Sequence, residues 1–309
     1  MYKFFRLVRF PNLVIVALTQ YLLQYSVVIP SFNKAGLAPT LPSWQFSLFV
    51  LTTMLIAAGG YIINDITDYP SDLVNKPHKV IVNKAMSQAT AWRFYFSLLF
   101  SGLAIALYLA IFVGNPGLVI LFPLAWGLLW LYSLRLKQWP LAGNLTVALF
   151  CAVVAGIVFY AERNGISNLW NTQPAAARNL AILSGGYLWF AFSTTFIREV
   201  IKDLEDIAGD AATKCRTIPI AWGERPARFI IGISIVLLIA SLLFFSNWLF
   251  KNGKWLAGFA CIGGIVLPSV YLLYLIIRAQ TKAHYSRLSS ITKAVMAAGL
   301  FLLVLIWMF

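Results

Sequence analysis

Charge is what this sequence lacks most. Only 11% of its 309 residues are charged and 61% are hydrophobic, whereas a soluble domain carries roughly 25% charged and 45–50% apolar residues. No water-soluble fold could bury so much apolar surface, so the composition excludes a soluble enzyme and a disordered chain. The three cysteines are too few for a disulfide framework or a metal cluster. The composition predicts an integral membrane protein.

Long apolar runs are what the sequence has instead. A membrane-spanning helix needs about 20 mostly apolar residues, and nine segments meet this requirement. They cover roughly residues 12–31, 45–63, 90–113, 117–134, 141–161, 179–197, 228–249, 255–277 and 291–309. The first segment is long and lacks a small-residue cleavage site, so we interpret it as an uncleaved helix. We expect one transmembrane domain over residues 1–309, with polar loops at about 64–89 and 198–227.

Basic residues predict the orientation of these segments. Nineteen of the 24 Lys and Arg residues fall on the side that holds the N-terminus and the loops after the even-numbered segments. By the positive-inside rule this side is cytoplasmic, and the C-terminus lies outside. Both polar loops are on the cytoplasmic side, where we expect the active site, in the inner (plasma) membrane of the cell. The net charge of +14 then reflects topology and an anionic substrate rather than nucleic acid.

Acidic residues are fewer than basic ones, and eight of the ten lie in two short segments of the sequence. Each segment contains three aspartates spaced i, i+3 and i+7. They are Asp65, Asp68 and Asp72 in the first segment and Asp203, Asp206 and Asp210 in the second. This spacing predicts three carboxylates along one face of a helix. Pro70 predicts that the first helix distorts or ends inside its motif, which places Asp72 on a loop.

The two acid motifs predict a metal site. Each follows an even-numbered segment, so both reach the same membrane face, where their carboxylates would repel one another without intervening cations. Hard oxygen ligands suit Mg²⁺, and Asn64 adds one more. Basic residues flank both motifs: Lys76, His78, Lys79 and Lys84, then Lys202, Lys214 and Arg216. Metal-binding carboxylates beside phosphate-binding cations are typical of a diphosphate leaving group, here most simply that of an isoprenyl diphosphate.

Three other interpretations exist. A single acidic helix end is usually a solvated boundary with local salt bridges, but two motifs of identical spacing and orientation argue against this. A transporter places ionisable groups near the bilayer midplane, whereas these apolar segments carry almost none. A non-catalytic membrane assembly factor has no need of two intact acid motifs.

Specific motifs then identify a family. The run Asn64-Asp65-x-x-Asp68-x-x-x-Asp72 precedes Asn75-Lys76-Pro77, and Tyr132-Ser133-x-x-Leu136-Lys137 precedes Gly143-Asn144. With the second acid motif, these runs resemble the UbiA superfamily of intramembrane prenyltransferases over essentially the whole chain. The resemblance implies an all-α fold of nine transmembrane helices around a central cavity, with Mg²⁺ as the cofactor.

The resemblance also implies roles for individual residues. One Mg²⁺ would be bound by Asn64, Asp65, Asp68 and Asp72, and a second by Asp203, Asp206 and Asp210. Lys79 and Lys137 would contact the diphosphate. Residues implied as catalytic are Asp65, Asp68, Asp203, Asp206 and Lys137, and those implied in substrate binding are Asn64, Lys76, Lys79, Tyr132, Asn144, Arg198 and Lys202.

The acceptor is predicted from one loop. Residues 198–210, followed by Lys214-Cys-Arg216-Thr217-Ile-Pro219, are similar to the branch of the family that transfers geranylgeranyl from its diphosphate to the hydroxyl of geranylgeranylglyceryl phosphate. Other branches prenylate 4-hydroxybenzoate, naphthoate, homogentisate and related precursors, and an aromatic acceptor stays an alternative. We expect the partners to be a prenyl diphosphate, a lipid or aromatic acceptor and the bilayer, with no nucleic acid and no obligate protein partner.

Two polar residues keep alternative roles. Glu199 is either a base for the acceptor hydroxyl or an ion-pair partner of Arg198 or Lys202. Arg9 either reaches the cavity or serves only as a positive-inside anchor.

Overall fold

The computed structural model describes residues 2–75, 77–78, 80–213 and 215–308, and its regular elements there are all helices. Among these residues, nine helices are long and apolar enough to cross a membrane. They are α2 (Phe10–Lys34), α3 (Ser43–Thr67), α5 (Gln88–Val113), α6 (Gly117–Leu134), α7 (Ala142–Ala161), α9 (Pro174–Glu205), α12 (Glu224–Lys251), α13 (Trp255–Arg278) and α14 (Lys282–Met308). Each overlaps one predicted segment, which confirms the predicted fold class.

Shorter helices connect the spanning ones. They are α1 (Tyr2–Leu7), α4 (Tyr69–Asn75), α8 (Arg163–Thr172), α10 (Ile207–Ala212) and α11 (Ile218–Trp222). Helices α4 and α10 follow α3 and α9 directly and contain the last aspartate of each acid motif. The amphipathic helix α8 lies at the opposite end of the bundle and matches none of the predicted apolar segments.

The spanning helices form a closed ring. Helix α3 packs against α2, α5 and α6, whereas α9 packs against α7, α12 and α14. Contacts between α2 and α14 and between α2 and α7 join the two groups. The two helices that enter the acid motifs, α3 and α9, are therefore the most centrally packed members of the two halves.

Helix length places the acid motifs at the membrane boundary. At 1.5 Å per residue, the 32 residues of α9 span about 48 Å, well beyond the roughly 30 Å hydrocarbon core of a bilayer. The 25 residues of α3 span about 38 Å on the same basis. The first aspartate of each motif lies in the last turn of its helix and the other two follow the helix end, so helices of this length would bring the motifs to the polar boundary of a bilayer.

A buried acid stabilises the opposite end of the bundle. The Glu162 side chain is fully buried and accepts hydrogen bonds from Gln24 Nε2 at 2.8 Å and from the backbone N–H of Thr40 at 2.7 Å. These bonds attach the loop before α3 to the end of α7. Glu162 therefore has a structural role at the end far from the acid motifs.

Candidate active site

Each acid motif is bent at its middle aspartate. Helix α3 ends at Thr67 and α4 begins at Tyr69, with Asp68 between them at φ −88° and ψ −1°. Likewise, Asp206 separates α9 from α10 at φ −106° and ψ 11°. The predicted end of the first helix inside its motif is therefore confirmed, whereas the expectation of three carboxylates along one continuous helix is wrong for the second motif.

The first bend has a local cause. Pro70 lacks a backbone N–H and its ring would clash with the preceding turn, so α3 cannot continue through it. Proline is nevertheless favoured in the first turn of a helix, and α4 begins one residue earlier. Asp72 thus lies on a short helix rather than on the predicted loop. The second motif has no proline near Asp206, so its sequence does not predict the bend there.

The bends bring the two motifs together. Helices α4 and α10, which follow the bends, pack against each other. Asp72 on α4 and Asp210 on α10 consequently lie on adjacent elements at the same end of the ring. The two acid motifs therefore lie at the same end of the ring although 138 residues separate them in the sequence.

The segment 132–144 joins the first motif to the rest of the bundle. Lys137, on a single 3₁₀ turn over Leu136–Gln138, forms an ion pair with Asp68 and donates a hydrogen bond to Thr67 Oγ1 at 2.7 Å. Ser133 Oγ, at the end of α6, donates to Asn64 Oδ1. The family resemblance implies that Lys137 contacts the substrate, but it implies no role for Ser133.

The same segment also reaches the second motif. Asn144, in the first turn of α7, donates from Nδ2 to Asp203 Oδ2 at 2.9 Å. A small polar cavity of about 30 Å³ lies here, and Tyr132, Lys137, Asn144 and Asp203 are among its lining residues. The structure therefore gathers these four predicted site residues around one cavity.

Arg9 reaches the first motif from the N-terminus. Its guanidinium forms an ion pair with Asp65 at 2.8 Å and lies over the ring of Tyr61, 5.0 Å from the centroid. Partial burial disfavours the charged form, but the charge of Asp65 and the hydrogen bond to it outweigh this effect and raise the pKa of Arg9. The positive-inside pattern alone is enough to explain an arginine at this position, so the sequence does not mark Arg9 as a site residue.

Glu199 is held by two cations. Arg198 Nη1 lies 2.8 Å from Glu199 Oε1, and Lys202 Nζ lies 3.1 Å from Oε2. Glu199 therefore forms the ion pairs that were one of its two alternative roles, the other being a base for the acceptor hydroxyl. Arg198 and Lys202, predicted to bind substrate, also contact this carboxylate. The predicted site residues Lys76 and Lys79 lie outside the described part of the chain.

The oxygen atoms of the acid motifs are suitable ligands for Mg²⁺, but two of the carboxylates form ion pairs with protein cations. Among the described residues, no three His, Cys, Asp or Glu side chains converge on one metal position. Asp65 pairs with Arg9, and Asp68 pairs with Lys137. Carboxylate and amide oxygens are nevertheless the ligands that Mg²⁺ prefers. A metal would therefore take over charge neutralisation that these two cations now provide.

A ring of apolar helices with a carboxylate-rich candidate site at one end defines an integral membrane protein. The model of the UbiA prenyltransferase family matches residues 27–291, and the chain belongs to this family. Its predicted class, a membrane prenyltransferase, is thereby confirmed.

Relatives of known name share most of the chain. Over 272 residues it is 32% identical to digeranylgeranylglyceryl phosphate synthase of Methanoculleus marisnigri, covering 85% of this chain and 84% of the relative. It is 31% identical over 244 residues to the enzyme of the same name from Thermococcus gammatolerans, covering 78% and 79% of the two chains.

Solved structures share the fold. A structure of digeranylgeranylglyceryl phosphate synthase superimposes with a TM-score of 0.67 at 19% identity, covering 100% of this chain and 99% of the other. A UbiA homolog from Archaeoglobus fulgidus bound to DMAPP and Mg²⁺ superimposes with a TM-score of 0.56 at 17% identity, covering 98% and 99%. At these identities the likeness concerns the helical architecture, which agrees with the predicted ring of nine helices.

Proposed function

We propose that this protein transfers a geranylgeranyl group from its diphosphate to the hydroxyl of geranylgeranylglyceryl phosphate, and that the reaction depends on Mg²⁺. The observation that carries the proposal is the gathering of both acid motifs, through α4 and α10, beside Lys137 and Asn144. The names of the relatives from M. marisnigri and T. gammatolerans support the choice of acceptor.

Two groups of oxygen ligands are proposed to hold the metal. The first is Asn64, Asp65, Asp68 and Asp72, and the second is Asp203, Asp206 and Asp210. Bound there, Mg²⁺ would neutralise the negative charge that develops on the departing diphosphate. The A. fulgidus homolog, bound to DMAPP and Mg²⁺, supports this choice of cofactor.

Protein cations are proposed to hold the diphosphate. Lys137 lies beside Asp68 at the polar cavity, so a short rotation of its side chain would carry the ammonium from the carboxylate to a phosphate oxygen. Lys79 is proposed for the same role on the first polar loop. Tyr132, which also lines the cavity, and Asn144, which is bonded to Asp203, are proposed to position the substrate.

The reaction exchanges one C–O bond for another. The bond between the allylic C1 of the prenyl chain and its diphosphate breaks, an ether bond forms between C1 and the acceptor oxygen, and diphosphate and the hydroxyl proton are released. The surrounding apolar helices would exclude water, which would otherwise trap the electron-poor allylic carbon.

The proposed orientation places this site at the cytoplasmic face of the plasma membrane. The N-terminus and all the loops on its side carry 19 of the 24 Lys and Arg residues, and such loops stay on the cytoplasmic side. A basic face also suits a reaction in which both substrates carry phosphate.

The test is diphosphate release by the purified protein in detergent. The donor is geranylgeranyl diphosphate with Mg²⁺, the acceptor is geranylgeranylglyceryl phosphate or 4-hydroxybenzoate, and products are identified by mass spectrometry. Transfer to the glyceryl phosphate that stops with EDTA is the expected result. Transfer only to the aromatic acid would overturn the acceptor, and EDTA-resistant transfer would overturn the metal dependence.

A further inference from the structure

A second concave surface lies on the outside of the ring, away from the acid motifs. It is a groove of about 530 Å³ between α12 and α13, within the range of small-molecule sites. Several of its walls point outward: the Phe229, Leu237 and Ile277 side chains are exposed by 69%, 53% and 75%. In a membrane these surfaces face the lipid, so the groove is open to the bilayer. None of the residues lining it belongs to the candidate active site.

The groove is basic at one end and apolar along the rest. Arg225 and Arg228, in the first turns of α12, line the end that lies on the same membrane face as the acid motifs. The remaining lining residues are aliphatic or aromatic, except for Gly232. A side-chain atom added at Gly232 would come no closer than 3.9 Å to Leu273, so this glycine leaves the floor of the groove open.

The two arginines differ in their partners. Arg228 Nη1 donates to the carbonyl of Ala279 and to the Tyr285 hydroxyl, both at 3.1 Å, and lies 3.5 Å from the Glu224 carboxylate. It is thus used to connect α12 to α14 and to the end of α13. Arg225 makes no hydrogen bond or ion pair with another described residue. The groove therefore ends at one cation that no described residue pairs with.

The length of the groove matches one leaflet. Arg225 and Leu237 are twelve residues apart on one helix, which corresponds to about 18 Å along its axis. Half of the roughly 30 Å hydrocarbon core of a bilayer is about 15 Å. A lipid whose phosphate is at Arg225 would place its chain along the apolar groove and reach the bilayer midplane.

From this charge complementarity and length, we propose that the groove between α12 and α13 is a binding site for one anionic phospholipid of the surrounding leaflet. Arg225 holds the phosphate, and the cleft above Gly232 holds one chain. The proposal does not depend on the identity of the prenyl acceptor, because it concerns a surface outside the catalytic site.

Native mass spectrometry of the purified protein tests this proposal. The probes are phosphatidylglycerol and phosphatidylcholine, added separately at equal concentrations to delipidated protein. Arg225→Gln removes the cation, and Gly232→Leu fills the cleft at a position with room for a side chain. The matched controls are Arg93→Gln, an exposed arginine near the start of α5 at the same membrane face, and Gly127→Leu, an exposed glycine of α6 with no atom within 4 Å of an added Cβ.

The expected result is a phosphatidylglycerol adduct on the wild type that exceeds the phosphatidylcholine adduct and decreases at least fivefold in both groove variants, but not in the controls. Equal binding of the two lipids, or an unchanged adduct in Arg225→Gln, would overturn the proposal. So would a wild-type dimer that Gly232→Leu converts to a monomer, because the groove would then be an interface between copies of this chain. Both groove variants should retain diphosphate release, which separates failure of this site from failure of the proposed reaction.

Discussion

Two protein cations each neutralise one aspartate of the first acid motif. Arg9 comes from the N-terminus and Lys137 from a turn far along the chain, and each contacts a different aspartate of the first motif. Two carboxylates so close together repel unless positive charge lies between them. We infer that these side chains neutralise the motif in the absence of metal and compete with Mg²⁺ for it.

This competition predicts the behaviour of Arg9→Gln. Asp65 loses its cation, so the Mg²⁺ concentration for half-maximal activity should fall. The Arg9 side chain is 43% exposed, and an exposed ion pair contributes at most about 1 kcal/mol, so the decrease should not exceed about fivefold. Mg²⁺ titration of diphosphate release measures it, with Arg6→Gln, an exposed arginine on α1, as the control. A higher Mg²⁺ requirement in Arg9→Gln would contradict competition.

The middle aspartates predict a larger effect on catalysis. Asp68→Asn or Asp206→Asn keeps the side-chain shape at the bend but removes the negative charge of a proposed metal ligand, and the rate of diphosphate release should fall roughly 100-fold or more. Glu205→Gln is the control, because it removes a neighbouring acid that lies outside the proposed ligand set. Unchanged melting temperatures would show that the variants remain folded. Full activity in either aspartate variant would remove that residue from the metal site.

The segment from Tyr132 to Asn144 is the element that joins the two motifs. It provides Ser133 and Lys137 to the first motif and Asn144 to the second. Its turn is packed tightly, since a Cβ added at Gly143 would lie 2.9 Å from Lys137 Cα and 3.2 Å from the carbonyl oxygen of Leu136. Gly143 therefore allows the close approach that places Lys137 beside Asp68.

Gly143→Ala should displace this turn. The backbone of Lys137 must move by several tenths of an ångström or more, and small misplacements of a group that contacts the substrate are costly to catalysis. We expect diphosphate release to fall roughly tenfold or more, with a smaller change in melting temperature than a buried cavity would cause. Gly127→Ala, with open space around its Cβ, is the control. Wild-type activity in Gly143→Ala would show that the turn adapts without affecting Lys137.

The sequence predicts elements better than it predicts their bends. Apolar runs determine the nine helices because a spanning segment must satisfy its backbone hydrogen bonds internally, and each predicted segment overlaps an observed one. The bend at Asp68 follows from Pro70, whereas no residue type marks the bend at Asp206. Arg9 and Ser133 were not assigned to the site because their contacts join residues 56 and 69 positions apart, and such contacts depend on helix packing.

At the scale of the whole molecule, the two halves of the ring meet at the end that carries the acid motifs. Helices α3 and α9 are each central to one half, and each ends in an acid motif whose following short helix packs against the other. The same end carries the starts of α5 and α12 and most of the basic residues. The distribution of charge, and not only the acid motifs, therefore distinguishes one face of the protein from the other.

That asymmetry predicts the orientation in the cell. In a background with Cys151, Cys215 and Cys261 replaced by serine or alanine, Gln280→Cys reports on the basic face and Asn252→Cys reports on the opposite face; both positions are exposed. If basic loops stay in the cytoplasm, a membrane-impermeant maleimide added to intact cells should label Asn252→Cys only. In inside-out vesicles it should label Gln280→Cys only, and detergent should expose both. Labelling of Gln280→Cys in intact cells would place the acid motifs outside and contradict the proposed orientation.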